Sequence, residues 1–306
     1  MEHVQINEVS LRDGLQMHQE FIPTEAKLRL LDSLLRAGVR HFEVTSFVSP
    51  KAVPQMADAA ELCAVLPSVE GAHYSVLVPN LKGLERATGA GCRTVNLVLS
   101  ATETMNQKNI RMSLGQTRSV CADTIRHAHE LGLGADAYIA VAFECPYEGA
   151  VDPGHIVDLA DEMFEAGAGR VIIADTIGAA NPAQVKRLFS MLLPRFDVGR
   201  FACHFHDTRA LALANVWESL EAGVRRFDSS VGGLGGCPFS PGASGNLATE
   251  DLLQFLHSCG FETGVAVDGI VGAIDVASEI TGRDLGGRIM PWLRAQRARS
   301  ESEIHA

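Results

Sequence analysis

Two histidines separated by one residue, His204 and His206 in the run FACHFHDT, carry the most pointed chemical spacing in this 306-residue chain. In a strand, residues two apart share a face, so both imidazoles can aim at one point while Phe205 packs the other way. Two neutral imidazoles on one face begin a metal site. Two separately hydrogen-bonded histidines fit the same spacing equally well. Asp207, next in line, is a further ligand or an orienter. Asp13 sits beside Arg12 in SLRDGLQ, at the end of the first strand-like run. Its carboxylate would complete a set of two imidazoles and one carboxylate; with added amide or water oxygens, such a set suits Mg2+ or Mn2+. Ligand type alone leaves zinc and iron open. Arg12 beside that carboxylate is poised to stabilise an enolate or oxyanion, a surface salt bridge being its plainer role. Glu43 could hold the guanidinium in place.

A second chemical segment is VGGLGGCPFSPGASGNLATED, residues 231–251. Six glycines surround one cysteine, which points to a mobile loop or to close backbone approach to a ligand. Cys237 can give or take a proton; as a nucleophile it lacks the partners of a thiol hydrolase. The phosphate-cradle reading is weak, because GLGG has no following Lys-Ser/Thr. Asn246 offers an amide oxygen to a metal, although an Asn just before a helix is more often a cap.

These residues need elements to hold them. Strand-like runs recur at 4–9, 41–45, 74–78, 94–99, 136–142, 170–174, 201–206 and 226–230. Helical periodicity falls between them at 24–37, 81–89, 114–131, 154–166, 182–193, 210–222 and 249–258. Thr24 reads as the N-cap of the first helix, with Lys27 and Arg29 outward and Gly38 as the stop. AG triplets starting at Ala37, Ala90, Ala166 and Ala222 punctuate the turns from helix to strand. Eight βα units favour a closed (β/α)8 TIM barrel over an open sheet. The reading is of a single barrel domain over 1–306, with the barrel at about 4–276 and a short C-terminal helical extension and tail. Arg12, Asp13, Glu43, Asp175, His204, His206 and the glycine loop all fall at or after strand C-terminal ends, the face where such barrels build active sites.

A formal net charge of -11 argues against a nucleic-acid surface. Lys51, Lys82 and Lys108 follow strands two, three and four and are candidates to meet phosphates at the rim. The seven cysteines are odd in number and form no CxxC, which disfavours a disulfide framework; those other than Cys237 read as core packing, in a reducing cytosol. No apolar run approaches the roughly 20 residues that span a bilayer, and the first strand leaves no room for a leader after Met1. A cytoplasmic protein with no membrane and no nucleic-acid partner is expected.

The motifs VSLRDGLQ, VTSFVSPKAVPQMAD, VPNLKG, CPYEG, DTIG, HFHDT and GGLGGCPFSPGASGNLATEDL resemble the hydroxymethylglutaryl-CoA lyases, relatives of the isopropylmalate and homocitrate synthases. The resemblance covers about residues 4–276, and the cysteine loop is its most specific part. The synthases share the Arg-Asp start and the HxH, but commonly place an acidic residue where Leu15 stands here. The resemblance implies Asp13, His204, His206 and Asn246 as ligands to a divalent cation, Mg2+ or Mn2+. It implies Arg12 as stabiliser of a thioester enolate and Glu43 as the acid orienting it. Asp175 and His204 match proton-handling groups, Cys237 the loop acid/base, and Glu250 a further acidic position. Arg12, Gln16, Asn80, Lys82 and Lys108 are the candidate contacts to an acyl-CoA substrate. The implied reaction cleaves 3-hydroxy-3-methylglutaryl-CoA to acetyl-CoA and acetoacetate; the same chemistry on a bulkier or malyl-type CoA ester is the alternative, and a Claisen-type synthase or a silent scaffold are more distant ones. The family usually reads Gly-Pro before Arg-Asp and Asn-Glu after DGLQ, where this chain has Ser10-Leu11 and Met17-His18. Those departures bear on the acyl group. A homo-oligomer, dimer or higher, is expected.

Overall fold

The computed structural model describes residues 1–236 and 245–304. Each strand-like run becomes a strand: β1 Gln5–Glu8, β2 His41–Ser46, β3 His73–Leu77, β4 Thr94–Ser100, β5 Gly134–Ala140, β6 Val171–Asp175, β7 Phe201–Phe205 and β8 Arg226–Ser229. All eight pair in parallel with their sequence neighbours, and β8 closes on β1. This is the (β/α)8 barrel expected from the alternation.

Helices α1 Thr24–Arg36, α2 Ala59–Ala64, α3 Leu81–Gly89, α4 Glu103–Ile110, α5 Leu114–Glu130, α6 Pro153–Glu165, α7 Pro182–Leu192, α8 Ala212–Glu221 and α9 Thr249–Ser258 surround it. Their apolar stripes, such as Leu30, Leu31, Leu34 and Leu35 of α1, bury against the outer faces of the strands. Capping boxes at Ser113/Gln116 and Asn181/Gln184 satisfy the first amides of α5 and α7. Two further helices, α10 Val267–Thr281 and α11 Met290–Ile304, form the C-terminal extension; α10 lies along α1. No described helix is long and apolar enough to cross a membrane.

Sequence reasoning misplaces some details. Pro23, not Thr24, holds the N-cap position of α1, and Thr24 instead donates to Asp58 Oδ2 at 2.8 Å. Lys27 is not outward: it is 1% exposed, and its ammonium donates to Asp58 Oδ1 at 2.6 Å and Gln55 O at 2.7 Å. A buried carboxylate supplied by the loop before α2 changes the environment that α1's own periodicity suggests. Helices α2 and α4 went unseen: one is a six-residue element, and the other (ETMNQKNI) buries only Met105 and Asn106. Not every cysteine other than Cys237 packs in the core: Cys63 and Cys92 are half-buried and Cys259 is exposed.

The barrel interior departs from an aliphatic plug. Asn7, Asn96, Asp136, Tyr138 and Asp228 project inward and line a cavity of about 350 Å3 on the side of the strand starts. Polar groups inside a barrel must be hydrogen-bonded or hydrated, and this set is bonded largely to itself and to the residues at the opposite mouth.

Candidate active site at the C-terminal mouth

After β1 the chain does not run straight into a loop. Ser10–Gly14 makes one π-helical turn, with the amides of Asp13 and Gly14 both reaching Val9 O at 2.8 and 3.1 Å. Such single turns recur at functional sites because they push side chains out of ordinary helical register. Here the turn presents Arg12 and Asp13, both buried, to the barrel mouth. Gly14 makes it possible: a Cβ there would stand 3.0 Å from Ser230 Oγ and 3.2 Å from Leu234.

Arg12 bridges two carboxylates. Its Nε donates to Glu43 Oε2 and its Nη1 to Asp13 Oδ1, while its guanidinium carbon lies 5.9 Å from the Tyr138 ring centroid. Nη2 makes no hydrogen bond among the described residues and remains a donor for an oxyanion. Burial alone would lower this guanidinium's pKa, but Glu43 and Asp13 raise it, so the charge is permanent. Glu43, fully buried in β2, is held by Asn96 Nδ2 at 2.7 Å. Burial raises its pKa and Arg12 offsets part of the rise. For Asp13, burial pushes the same way, yet Arg12 and the two histidines overcome it and hold the carboxyl below the usual range.

His204 on β7 and His206 just past its end share the inward face, their ring centroids 5.1 Å apart. Phe205 packs outward on Phe143. Both outcomes match the alternation expected of HFH. His204 Nδ1 lies 3.0 Å from Asp228 Oδ2, which also accepts the Tyr138 hydroxyl at 2.7 Å; Asn7 donates to the other oxygen at 2.9 Å. With Nδ1 committed to Asp228, Nε2 is the His204 nitrogen left to serve as a ligand. Burial would lower the His204 pKa, but Asp228 raises it overall; for His206 burial outweighs the Asp13 carboxylate 3.8 Å from its Nε2, and the pKa is lowered.

Asp13, His204 and His206 bring one ligand atom each to within 4.8 Å of one another. Asn246 completes the group. It is no helix cap, since Ala248 occupies that position in front of α9. Its Nδ2 donates to Asp13 Oδ2 at 2.9 Å and Leu234 O at 3.1 Å, while its buried Oδ1 has no partner. Gly235 (φ +140) gives it room, because a Cβ there would stand 2.6 Å from Asn246 Nδ2. An orphaned amide oxygen beside a carboxylate and two imidazoles fits a divalent cation, the oxygens suiting a hard ion. His206 presents Nε2 to Asp13, 3.8 Å from Oδ2.

The remaining candidates divide. Gln16 belongs to the site, donating to Asp13 Oδ1 at 2.8 Å. Asp175 ends β6 one register step from His204; it accepts the amides of Ala179 and Ala180 at 2.9 and 3.0 Å, and burial lifts it to about 6. Glu250 does not face the cluster: its carboxylate accepts the amides of Gly232 and Gly287, tying the glycine segment to the extension. Asn80 caps α3 through Gly83 N at 3.1 Å and does not touch the cluster. Lys51, Lys82 and Lys108 are exposed on loops or helices that follow strand ends. Cys237 lies outside the described residues. Sequence reasoning missed Asp228, Tyr138, Asn7 and Asn96. A signal existed: a polar side chain at an inward position of an otherwise apolar strand, as Asn96 in TVNLVLS. Glu8 was also missed; fully buried at the end of β1, it accepts Val231 N, Ser10 N and the Thr249 hydroxyl, and burial lifts its pKa to about 7.

Fold and site together define a (β/α)8-barrel enzyme whose mouth sets an arginine between two carboxylates, one of them part of a ligand set suited to a divalent cation. The chain belongs to the HMGL-like family, whose model matches residues 3–276. Hydroxymethylglutaryl-CoA lyase of Pseudomonas mevalonii is 42% identical over 270 residues, 88% of this chain and 90% of that protein. The crystal structure of hydroxymethylglutaryl-CoA lyase from Pseudomonas aeruginosa superposes with a TM-score of 0.93 at 39% identity, covering 96% of this chain and 98% of that one. An HMG-CoA lyase from Acinetobacter baumannii, solved in complex with coenzyme A and 3-methylmalate, gives a TM-score of 0.89 at 37% identity, with 94% of each chain covered.

Proposed function

We propose that this protein is a carbon–carbon lyase that cleaves 3-hydroxy-3-methylglutaryl-CoA to acetyl-CoA and acetoacetate. The observation that carries this reading is Arg12 clamped between Glu43 and Asp13, a fixed cation beside a ligand set for a divalent ion. The relatives' names specify the acyl group, and coenzyme A in the Acinetobacter baumannii structure supports a CoA ester.

Asp13, His204, His206 and Asn246 would hold Mg2+ or Mn2+, which when bound lowers the pKa of an oxygen it contacts, here the substrate's tertiary hydroxyl. His204, oriented by Asp228, keeps its other nitrogen for the cation, and Asp175, raised to about 6 by burial, is the group able to take and pass on that hydroxyl's proton. The electron pair left on oxygen becomes the ketone of acetoacetate as the carbon–carbon bond breaks, and the electrons of that bond go to the thioester enolate. Arg12 faces this negative charge with its free donors, already desolvated and fixed by Glu43. Protonation at carbon, for which Cys237 is the candidate acid, gives acetyl-CoA. We further place the enzyme in the cytoplasm as a homo-oligomer, dimer or higher; light scattering on the purified protein tests the latter. Offering the protein hydroxymethylglutaryl-CoA beside malyl-type and bulkier 3-hydroxyacyl-CoA esters tests the acyl group. Preference for any other ester would overturn the assigned acyl group and turn attention to Ser10-Leu11 and Met17-His18, where the chain departs from its family.

A further inference from the structure

Away from the catalytic mouth, two thiols face each other. Cys63 lies in the last turn of α2, and Cys92 lies two residues before β4 begins. Helix ends and strand starts share one pole of the barrel, so the pair sits at the pole opposite the catalytic site. Their Sγ atoms are 3.5 Å apart, with Cys63 as acceptor to the Cys92 thiol in one arrangement and the reverse in the other. Both residues are half-buried, packed against the core on one side and open to small solutes on the other. Cys121, Cys145 and Cys203 are buried by contrast.

We propose that Cys63 and Cys92 form a dithiol oxidation site, closed to an intramolecular disulfide by a low-molecular-weight disulfide such as oxidised glutathione. Closing the bond requires the sulfurs to approach by about 1.5 Å, a movement within reach of side-chain rotation and a small shift of the short α2. The thiolate of one cysteine attacks a sulfur of oxidised glutathione, forming a mixed disulfide and releasing one glutathione thiolate. The second cysteine, deprotonated, then attacks the protein sulfur and releases the other glutathione. Two protein thiols are oxidised, one glutathione disulfide is reduced to two thiols, and the electrons balance. The contact between the thiols favours one of them as the readier nucleophile: Cys92 is lowered by its hydrogen bond to Cys63, while Cys63 is raised by the same contact. The product staples the helix layer to the start of β4 and leaves the catalytic mouth untouched.

The test exposes the full-length, metal-loaded enzyme to oxidised glutathione, blocks remaining thiols with N-ethylmaleimide and digests without reductant. The expected result is one cross-linked peptide joining Cys63 to Cys92, lighter by two hydrogens than its two reduced component peptides together, a melting temperature raised by several degrees, and kcat within twofold of the reduced enzyme. C63S should instead retain a glutathione adduct on Cys92 and show no rise in melting temperature. C92S, on the other element, makes the reciprocal test if C63S does not fold. Persistent glutathione on the wild-type pair, or full alkylation of both cysteines after oxidation, would overturn the proposal.

Discussion

Replacing Arg12 by Gln tests how the mouth handles charge. The guanidinium is 6% exposed and its Nε and Nη1 are committed to Glu43 and Asp13. At a contact distance near 4 Å and an effective dielectric near 20, one full charge on the enolate is worth about 4 kcal/mol. That corresponds to roughly a thousandfold in kcat. KM should move far less, because the enolate charge exists only after the bond has begun to break. Metal binding should survive, since Asp13 keeps Gln16 and Asn246 as partners. Folding should suffer in a particular way. Glu43 would remain buried with Asn96 alone, and breaking a buried pair costs about 3–5 kcal/mol when the remaining charge persists. Burial already raises the Glu43 pKa, and losing Arg12 raises it further. A carboxyl with a raised folded pKa adds most stability below its unfolded pKa and loses it as pH rises toward the folded value. The variant's deficit should therefore grow from acidic to neutral pH. Turnover with hydroxymethylglutaryl-CoA, Mn2+ binding by calorimetry and urea unfolding at two pH values separate these effects. A kcat within tenfold of wild type would refute the role of Arg12, and a parallel loss of Mn2+ binding would move the cause to the ligand set.

Asp228→Asn should weaken Mn2+ binding by about 10–100-fold, because the amide no longer fixes the His204 Nδ1–H; calorimetry reads this directly, and unchanged affinity would dismiss the positioning role. Glu8, with its pKa raised from 4.5 to about 7, favours the folded state most when protonated. Its contribution should fade by about 3 kcal/mol as pH rises from 4.5 toward 7, so Glu8→Gln should gain on wild type across that window in urea unfolding; parallel pH profiles would contradict this. Lys27→Met leaves Asp58 buried without its cation and should cost about 3–5 kcal/mol while sparing kcat per folded molecule; an unchanged denaturation midpoint would show the pair to be dispensable.

The barrel was legible because each strand is a short β-branched or apolar run whose register is set by a neighbour adjacent in sequence. The ligand residues were legible for a related reason. HFH places two imidazoles on one strand face whatever the surroundings, and Arg-Asp directly after β1 must arrive at the same mouth. What the sequence hid depends on partners distant along the chain. Asp228 reads as one acid in a strand until Tyr138 and His204 are brought to its carboxylate from β5 and β7. Lys27 reads as a solvated helix face until Asp58 is packed against it. Glu250 and Asn80 carried roles implied by resemblance, while their side chains serve backbone amides. Asn246 reversed that pattern: its position before a helix suggested a cap, and an unpartnered buried oxygen instead suits it to the ligand role the resemblance implies.

The central claim is tested most directly by following acetyl-CoA release from hydroxymethylglutaryl-CoA with Mg2+ or Mn2+, before and after chelation by EDTA. The account predicts rapid release that chelation abolishes and added Mn2+ restores. Release that persists undiminished in EDTA would contradict the ligand roles of Asp13, His204, His206 and Asn246, and failure of folded, Mn2+-loaded enzyme to release acetyl-CoA would contradict the assigned reaction.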